Sequence, residues 1–80
     1  MLVSAIDMKM TGKRIAALRE ERGISVRELQ RMLGMGTPQA IYKWQRGETL
    51  PELENLAALA RALGVSMDEI LAVECREDGE

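Results

Sequence analysis

Ile24-Ser25-Val26-Arg27-Glu28-Leu29-Gln30-Arg31-Met32-Leu33-Gly34-Met35-Gly36-Thr37-Pro38-Gln39-Ala40-Ile41-Tyr42-Lys43-Trp44-Gln45-Arg46 spells two helices and the turn between them. Ser25 and Glu28 have the spacing of a capping box. The hydroxyl accepts an orphan amide of the first turn while the carboxylate reaches back to the N–H of the cap. Ile24 before the cap and Leu29 after it form a staple, so this helix starts at Ser25 and buries Leu29 and Leu33 before Gly34. Thr37-Pro38 then reads as an N-cap followed by proline at N1, where the missing N–H is harmless. The next helix runs to about Gln45 and stops near Gly47.

The same signals extend outward in both directions. Ile15 and Leu18, with Ala16 and Ala17, give a preceding amphipathic helix over about residues 12–22, stopped by Gly23. Pro51 opens a fourth helix whose Leu56, Leu59 and Leu63 form an apolar stripe ending at Gly64. Val65-Ser66-Met67-Asp68-Glu69-Ile70 repeats the capping box and staple and starts a short fifth helix. The expected fold is therefore all-α, with five tightly connected helices and no room for a large sheet. At the ends, Ile6, Met8 and Met10 alternate with Asp7 and Lys9, a period-two signal for extended chain. Residues 71–76, with Val73 and Cys75, also suit extended chain. The two terminal segments are expected to pair with each other or with a second subunit.

Composition removes most other function classes. Eighty residues with 11 Lys and Arg, 13 Asp and Glu, no His and one Cys describe one small domain with a formal charge of −2. A chain of this size buries only about 60% of its unfolded surface, which makes a partner subunit a fair expectation. One Cys permits no internal disulfide, and without His it builds no zinc site. The usual acid–base and nucleophile–base pairs are missing, so no catalytic residues, no metal and no cofactor are expected. The longest strongly apolar run, residues 56–60, is far short of the roughly 20 residues of a membrane helix. No basic segment leads an apolar one at the N-terminus, as a secretory signal requires. The reading is a cytoplasmic non-enzyme, one domain over residues 1–80 with its core at about 11–71, an N-terminal arm and an acidic C-terminal tail.

Charge divides along the chain. Residues 9–46 carry nine basic side chains against three acidic, whereas residues 47–80 carry two basic against nine acidic. One part of the surface is thus suited to a polyanion and the other is not. Within the basic part, Gln39, Tyr42, Lys43 and Arg46 recur at i, i+3, i+4 and i+7 and share one face of the third helix. Ile41 and Trp44 point the other way, toward a core. Taken alone, such a face is an ordinary solvated one; a preceding helix and turn, and the positive charge around it, give it a sharper meaning.

A helix pair joined by a short glycine-containing turn, with the second helix polar outward, is the helix-turn-helix arrangement. The chain resembles the lambda-repressor/Cro-like (XRE-type) family of bacterial and phage regulators. The matching residues are Gly12-Lys13-Arg14-Ile15, Leu18-Arg19-Glu20-Glu21-Arg22-Gly23-Ile24-Ser25, Glu28-Leu29, Leu33-Gly34, Ile41, Trp44, Arg46-Gly47 and Leu50-Pro51, continuing from Leu56 through Asp68-Glu69-Ile70-Leu71. The resemblance covers roughly residues 11–71. Two departures stand out: Val26 occupies a position where the family often has Gln, and the turn Gly34-Met35-Gly36-Thr37 looks one residue longer than the commonest form.

The resemblance implies sequence-specific binding of double-stranded DNA, with the third helix in the major groove. Gln39 pairs a donor and an acceptor that fit adenine N6 and N7, which makes it the first candidate for base readout. Tyr42 would meet a thymine methyl or a phosphate, and Lys43 a guanine edge or a phosphate. Backbone N–H groups near Ser25 and Thr37 would hold phosphate oxygens, and Arg14, Arg27 and Arg46 would add sequence-independent attraction. A homodimer is expected because two half-sites supply affinity that one small module lacks, and the natural role is an operator-bound repressor. Leu2, Val3, Ile70, Leu71 and Val73 have no obvious core role and are the expected interface. The rival reading is an antitoxin or adaptor whose acidic C-terminal half binds a basic protein partner, with DNA binding secondary or lost. Trp44 is expected in the core rather than on a base. Cys75 reads as a plain thiol beside Glu74 and Glu77, and residues 74–80 as a solubilising tail.

Overall fold

The computed structural model describes residues 2–77, with side-chain burial described for residues 5–74. Five helices carry the fold: α1 (Met8–Glu21), α2 (Val26–Met32), α3 (Gln39–Arg46), α4 (Leu53–Leu63) and α5 (Met67–Ile70). Strands β1 (Leu2–Ile6) and β2 (Val73–Glu77) join the two ends in an antiparallel ribbon, with Leu2 opposite Glu77 and Ile6 opposite Val73. The expected extended ends thus exist, and they pair with each other. The molecule is elongated, at 48 × 22 × 20 Å.

Both capping boxes form as the spacing predicts. Ser25 Oγ accepts from the Glu28 N–H at 3.0 Å, and the Ser25 N–H donates to Glu28 Oε1 at 2.8 Å. Ser66 and Glu69 repeat the exchange at 3.3 and 2.9 Å. Two other starts differ from expectation. α1 begins at Met8, four residues earlier than Gly12, because the Asp7 carboxylate accepts the Met10 N–H at 2.9 Å and caps the helix. Met8 and Met10 are consequently helical, and only the chain up to Ile6 is extended. α3 begins at Gln39, with Pro38 in the cap position at φ −86° and ψ 2° and no capping side chain. Thr37 is therefore not the cap. Proline biases the residue before it away from helical backbone, and Thr37 stays outside, exposed on the turn. α4 likewise starts two residues beyond Pro51, with Glu52 at its cap position.

The core is one apolar cluster of Ile15, Leu29, Ile41, Trp44, Leu56, Leu59, Ala60, Leu63 and Ile70. Each helix contributes, which is how a chain this short reaches a common interior. Ile70 corrects the expected interface list: it is 0% exposed. The staple explains why, since the residue at N4 of α5 turns inward with Val65, which also packs on the cluster. Leu71 packs against the same cluster, whereas Val73 is 54% exposed. The side chains of Leu2, Val3 and Cys75 and the end of the acidic tail lie outside the described residues.

α1 and α3 meet at a glycine. A Cβ on Gly12 would sit 2.2 Å from the Trp44 carbonyl oxygen and 2.7 Å from that of Gln45. Hydrogen alone fits there, so the two backbones touch. At the far end of α3, Gly47 ends the helix in left-handed backbone at φ +76°, a conformation glycine adopts without steric cost.

The ribbon is fastened at its root. The Asp7 N–H donates to the Ala72 carbonyl at 2.8 Å. The Ala72 N–H donates to Thr11 Oγ1 at 3.0 Å, and Arg14 Nη1 donates to the Leu71 carbonyl at 2.8 Å. Thr11, 1% exposed, is the buried polar residue of the described core, and its acceptor role accounts for its place there.

Candidate nucleic-acid interface

α3 has the two faces that its periodicity predicts. Ile41 and Trp44 are buried at 0% and 3% exposure, while Gln39, Tyr42, Lys43 and Arg46 face solvent. Trp44 is thus a core residue, as expected. The rotation of the helix is fixed from behind by Arg19 of α1. Its Nε donates to Gln45 Oε1 at 3.0 Å, and its Nη1 donates to the Ile24 carbonyl at 2.9 Å. One guanidinium therefore holds α3 and the entry to α2 in register. Gln30 braces the turn in turn: the Met35 N–H donates to its carbonyl at 3.0 Å, and its own Nε2 donates to the Met35 carbonyl at 3.1 Å. Arg19 was visible in sequence only as one more positive charge, and Gln30 not at all, because both partners are distant or lie across an irregular turn.

Between α3 and the start of α4 lies an open cleft of about 510 Å³. Thr37, Gln39 and Lys43 line it together with Thr49 and Asn55, and Trp44 contributes to its wall. Three of the residues singled out from sequence thus converge on one concave surface. Thr49 and Asn55 join them from beyond Gly47, a contribution that required the tertiary fold. Glu52 places a negative charge on the same cleft.

The remaining predicted residues have other surroundings. Tyr42 is 43% exposed on the front of α3, outside the cleft lining. Arg46 donates through Nε to Glu48 at 2.5 Å, and this exposed pair raises the Arg46 pKa and lowers that of Glu48. The Ser25 N–H is committed to Glu28, which leaves the Val26 and Arg27 amides as orphan donors of the first turn. The Glu28 carboxyl titrates below its ordinary value, because the Ser25 backbone N–H and hydroxyl hold its charged form, with a smaller pull from Arg31. Arg27 is exposed near the same helix start. Arg14 lies at the ribbon root, lining a hollow with Asp7, Met10, Ala72, Val73 and Glu74 rather than the α3–α4 cleft.

Comparison with known proteins agrees with this geometry. A profile of the helix-turn-helix family matches residues 15–70, from the middle of α1 to the end of α5. The chain belongs to the lambda-repressor/Cro-like helix-turn-helix family. The curated relatives that it matches are named as a repressor and a transcriptional regulator. Among curated relatives, repressor protein C2 of Salmonella phage P22 is 39% identical over 66 residues, covering 82% of this chain and 30% of that protein. An HTH-type transcriptional regulator of Sinorhizobium fredii is 36% identical over 67 residues, covering 82% of this chain and 86% of the relative. The chain therefore spans less than a third of the phage repressor but most of the second protein.

Solved structures place this regulator domain in the same fold. The P22 c2 repressor, crystallised with a synthetic operator, matches with TM-score 0.70 and 42% identity over 75% of this chain and 89% of that one. The restriction-modification controller protein C.AhdI of Aeromonas hydrophila matches with TM-score 0.74 and 28% identity over 80% and 96% of the two chains. No helix among the described residues is long and apolar enough to cross a membrane.

Proposed function

We propose that this domain binds double-stranded operator DNA as a homodimer, lays α3 in the major groove and represses transcription by occupying the operator. The observation that carries the reading is the two-faced α3. Ile41 and Trp44 fix it from behind, and Gln39 and Lys43 open onto a cleft shared with Thr37, Thr49 and Asn55. Gln39, at the N-terminal end of the helix, is the base reader that fits adenine, and Lys43 one turn on suits a guanine edge or a phosphate. Tyr42 contributes an apolar ring for a thymine methyl or a hydroxyl for a phosphate. The orphan amides at the start of α2 beside Ser25, the turn at Thr37, and Arg27 supply phosphate contacts. Arg46 joins them by exchanging the Glu48 carboxylate for a phosphate oxygen. Arg14 belongs to the same cationic set but sits at the ribbon root, where its Nη1 donates to the Leu71 carbonyl, and its part is sequence-independent attraction to phosphates.

The test is selection of bound sites from random duplexes, followed by the Gln39→Ala variant. The expected result is a two-fold-symmetric site and steeply salt-dependent affinity. Gln39→Ala should lose about 1–3 kcal/mol at one base position in each half-site and leave non-specific binding intact. An unchanged preferred sequence in the variant would remove Gln39 from base readout. Absence of any duplex binding would overturn the function.

A further inference from the structure

β1 and β2 form a two-stranded sheet, and among the described residues no third strand lies against either. The two outer edges differ in kind. β2 carries Glu74, Arg76 and Glu77, charges of the type that guard an edge against further pairing. β1 is Leu2-Val3-Ser4-Ala5-Ile6, with no charge, no proline and no glycine. An uncharged edge of that composition is a template for another strand. A two-stranded ribbon alone is also marginally stable in water, whereas additional strands give a sheet a stable footing. At the root of this ribbon, Ile6, Met10 and Val73 are 43%, 43% and 54% exposed, an apolar group that the helices leave uncovered.

We propose that the β1 edge is the homodimer interface: β1 of one protomer pairs antiparallel with β1 of a second copy, making a four-stranded sheet across a two-fold axis at Ser4. This inference rests on the homodimer reading and names its surface. The strand is self-complementary about that axis. Leu2 stands opposite the Ile6 position of the other copy, Val3 opposite Ala5, and Ser4 opposite itself, so no charge is buried and every pair is small or apolar. A two-fold contact requires this kind of self-match. The fastening of Ala72 to Asp7 and Thr11 holds the ribbon to the helical body, so a sheet formed there fixes one α3 relative to the other.

A charge exchange at Ser4 tests it. Within one protomer Ser4 stands opposite Cys75, a neutral neighbour, so either charge is tolerated there. On the axis, Ser4→Lys places two ammonium groups opposite each other, and Ser4→Glu two carboxylates, an arrangement that disfavours pairing. Sedimentation of the full chain should show a dimer for the parent, loss of the dimer for each variant alone, and its recovery in a one-to-one mixture. Recovery in the mixture separates a broken interface from a broken fold. A parent dimer that persists in both variants would overturn the β1 interface and leave the homodimer standing. A parent chain monomeric both free and on operator DNA would overturn both.

Discussion

α3 and the terminal ribbon both face solvent, on opposite mechanical terms. α3 is backed along its length: Ile41 and Trp44 are buried, Gly12 lets the α1 backbone touch it, and Arg19 grips Gln45. The ribbon is held at its root by Asp7, Thr11 and Arg14, and beyond Ile6 and Val73 its backbone partners are its own two strands. The difference suits the two roles proposed for these surfaces. Reading base edges demands side chains placed to within a fraction of an ångström by a rigid support. A strand edge needs only to be presented, since the partner strand supplies the remaining order. Among the described residues, side-chain packing and long-range hydrogen bonds back α3 from Ile41 to Gln45, whereas the ribbon is tied to the helices at its root.

Breaking the support of α3 should have the largest effect. Trp44→Ala removes the largest side chain of the core and is expected to cost about 3–5 kcal/mol in urea unfolding. For a domain of this size that is a large part of the total stability, and loss of DNA binding should follow the loss of fold. A change below 1 kcal/mol would mean that α3 is not anchored through this residue. Loosening the ribbon should matter less and act locally. Thr11→Val keeps the shape but leaves the buried Ala72 N–H without its acceptor, at about 1–3 kcal/mol. Native-state hydrogen exchange should then show faster exchange at Ala72 and Asp7 while the α3 amides stay protected. Equal deprotection of α3 would show that the two regions are one cooperative unit.

The smallest effect concerns pH at the α2 cap. The lowered Glu28 pKa means that its charged form is favoured in the folded state. Its contribution is therefore fully present above the unfolded glutamate pKa and is lost as pH falls through the lowered folded value. An NMR titration should place the Glu28 carboxyl below a free glutamate, and Ser25→Ala should return it upward. Only part of the shift should be lost, because the backbone N–H remains in the variant, and a carboxyl indifferent to the substitution would remove the hydroxyl as a cause.

The parts of this architecture legible in sequence are those set by neighbours three or four residues apart. Both capping boxes and the polar front of α3 need only local backbone geometry to appear. Where two local signals competed, the sequence misled. Alternation from Ile6 to Met10 suggested a strand, yet Asp7 three residues before Met10 is an N-cap signal, and the cap prevails once Ala72 ties down the Asp7 amide. Thr37-Pro38 offered a familiar helix start, but the backbone at Pro38 is not helical and α3 begins after it. Ile70 looked spare because the cluster it joins is assembled from residues of four other helices, most of them far from it in sequence. The site divides along the same line: Gln39, Tyr42, Lys43 and Arg46 follow from helical periodicity, whereas Thr49, Asn55 and the Arg19 clamp depend on segments brought together by folding.

Sequence by itself determined that five short helices form, where most of them stop, and which face of the third turns outward, because hydrogen bonding within a turn and the 3.6-residue repeat are local physics. The tertiary structure alone decided that the two ends zip together, that Arg14 serves the ribbon root, and that a cleft opens between α3 and α4. Those outcomes depend on contacts between residues dozens of positions apart, whose pairing is selected by the closure of the whole core and by no short pattern along the chain.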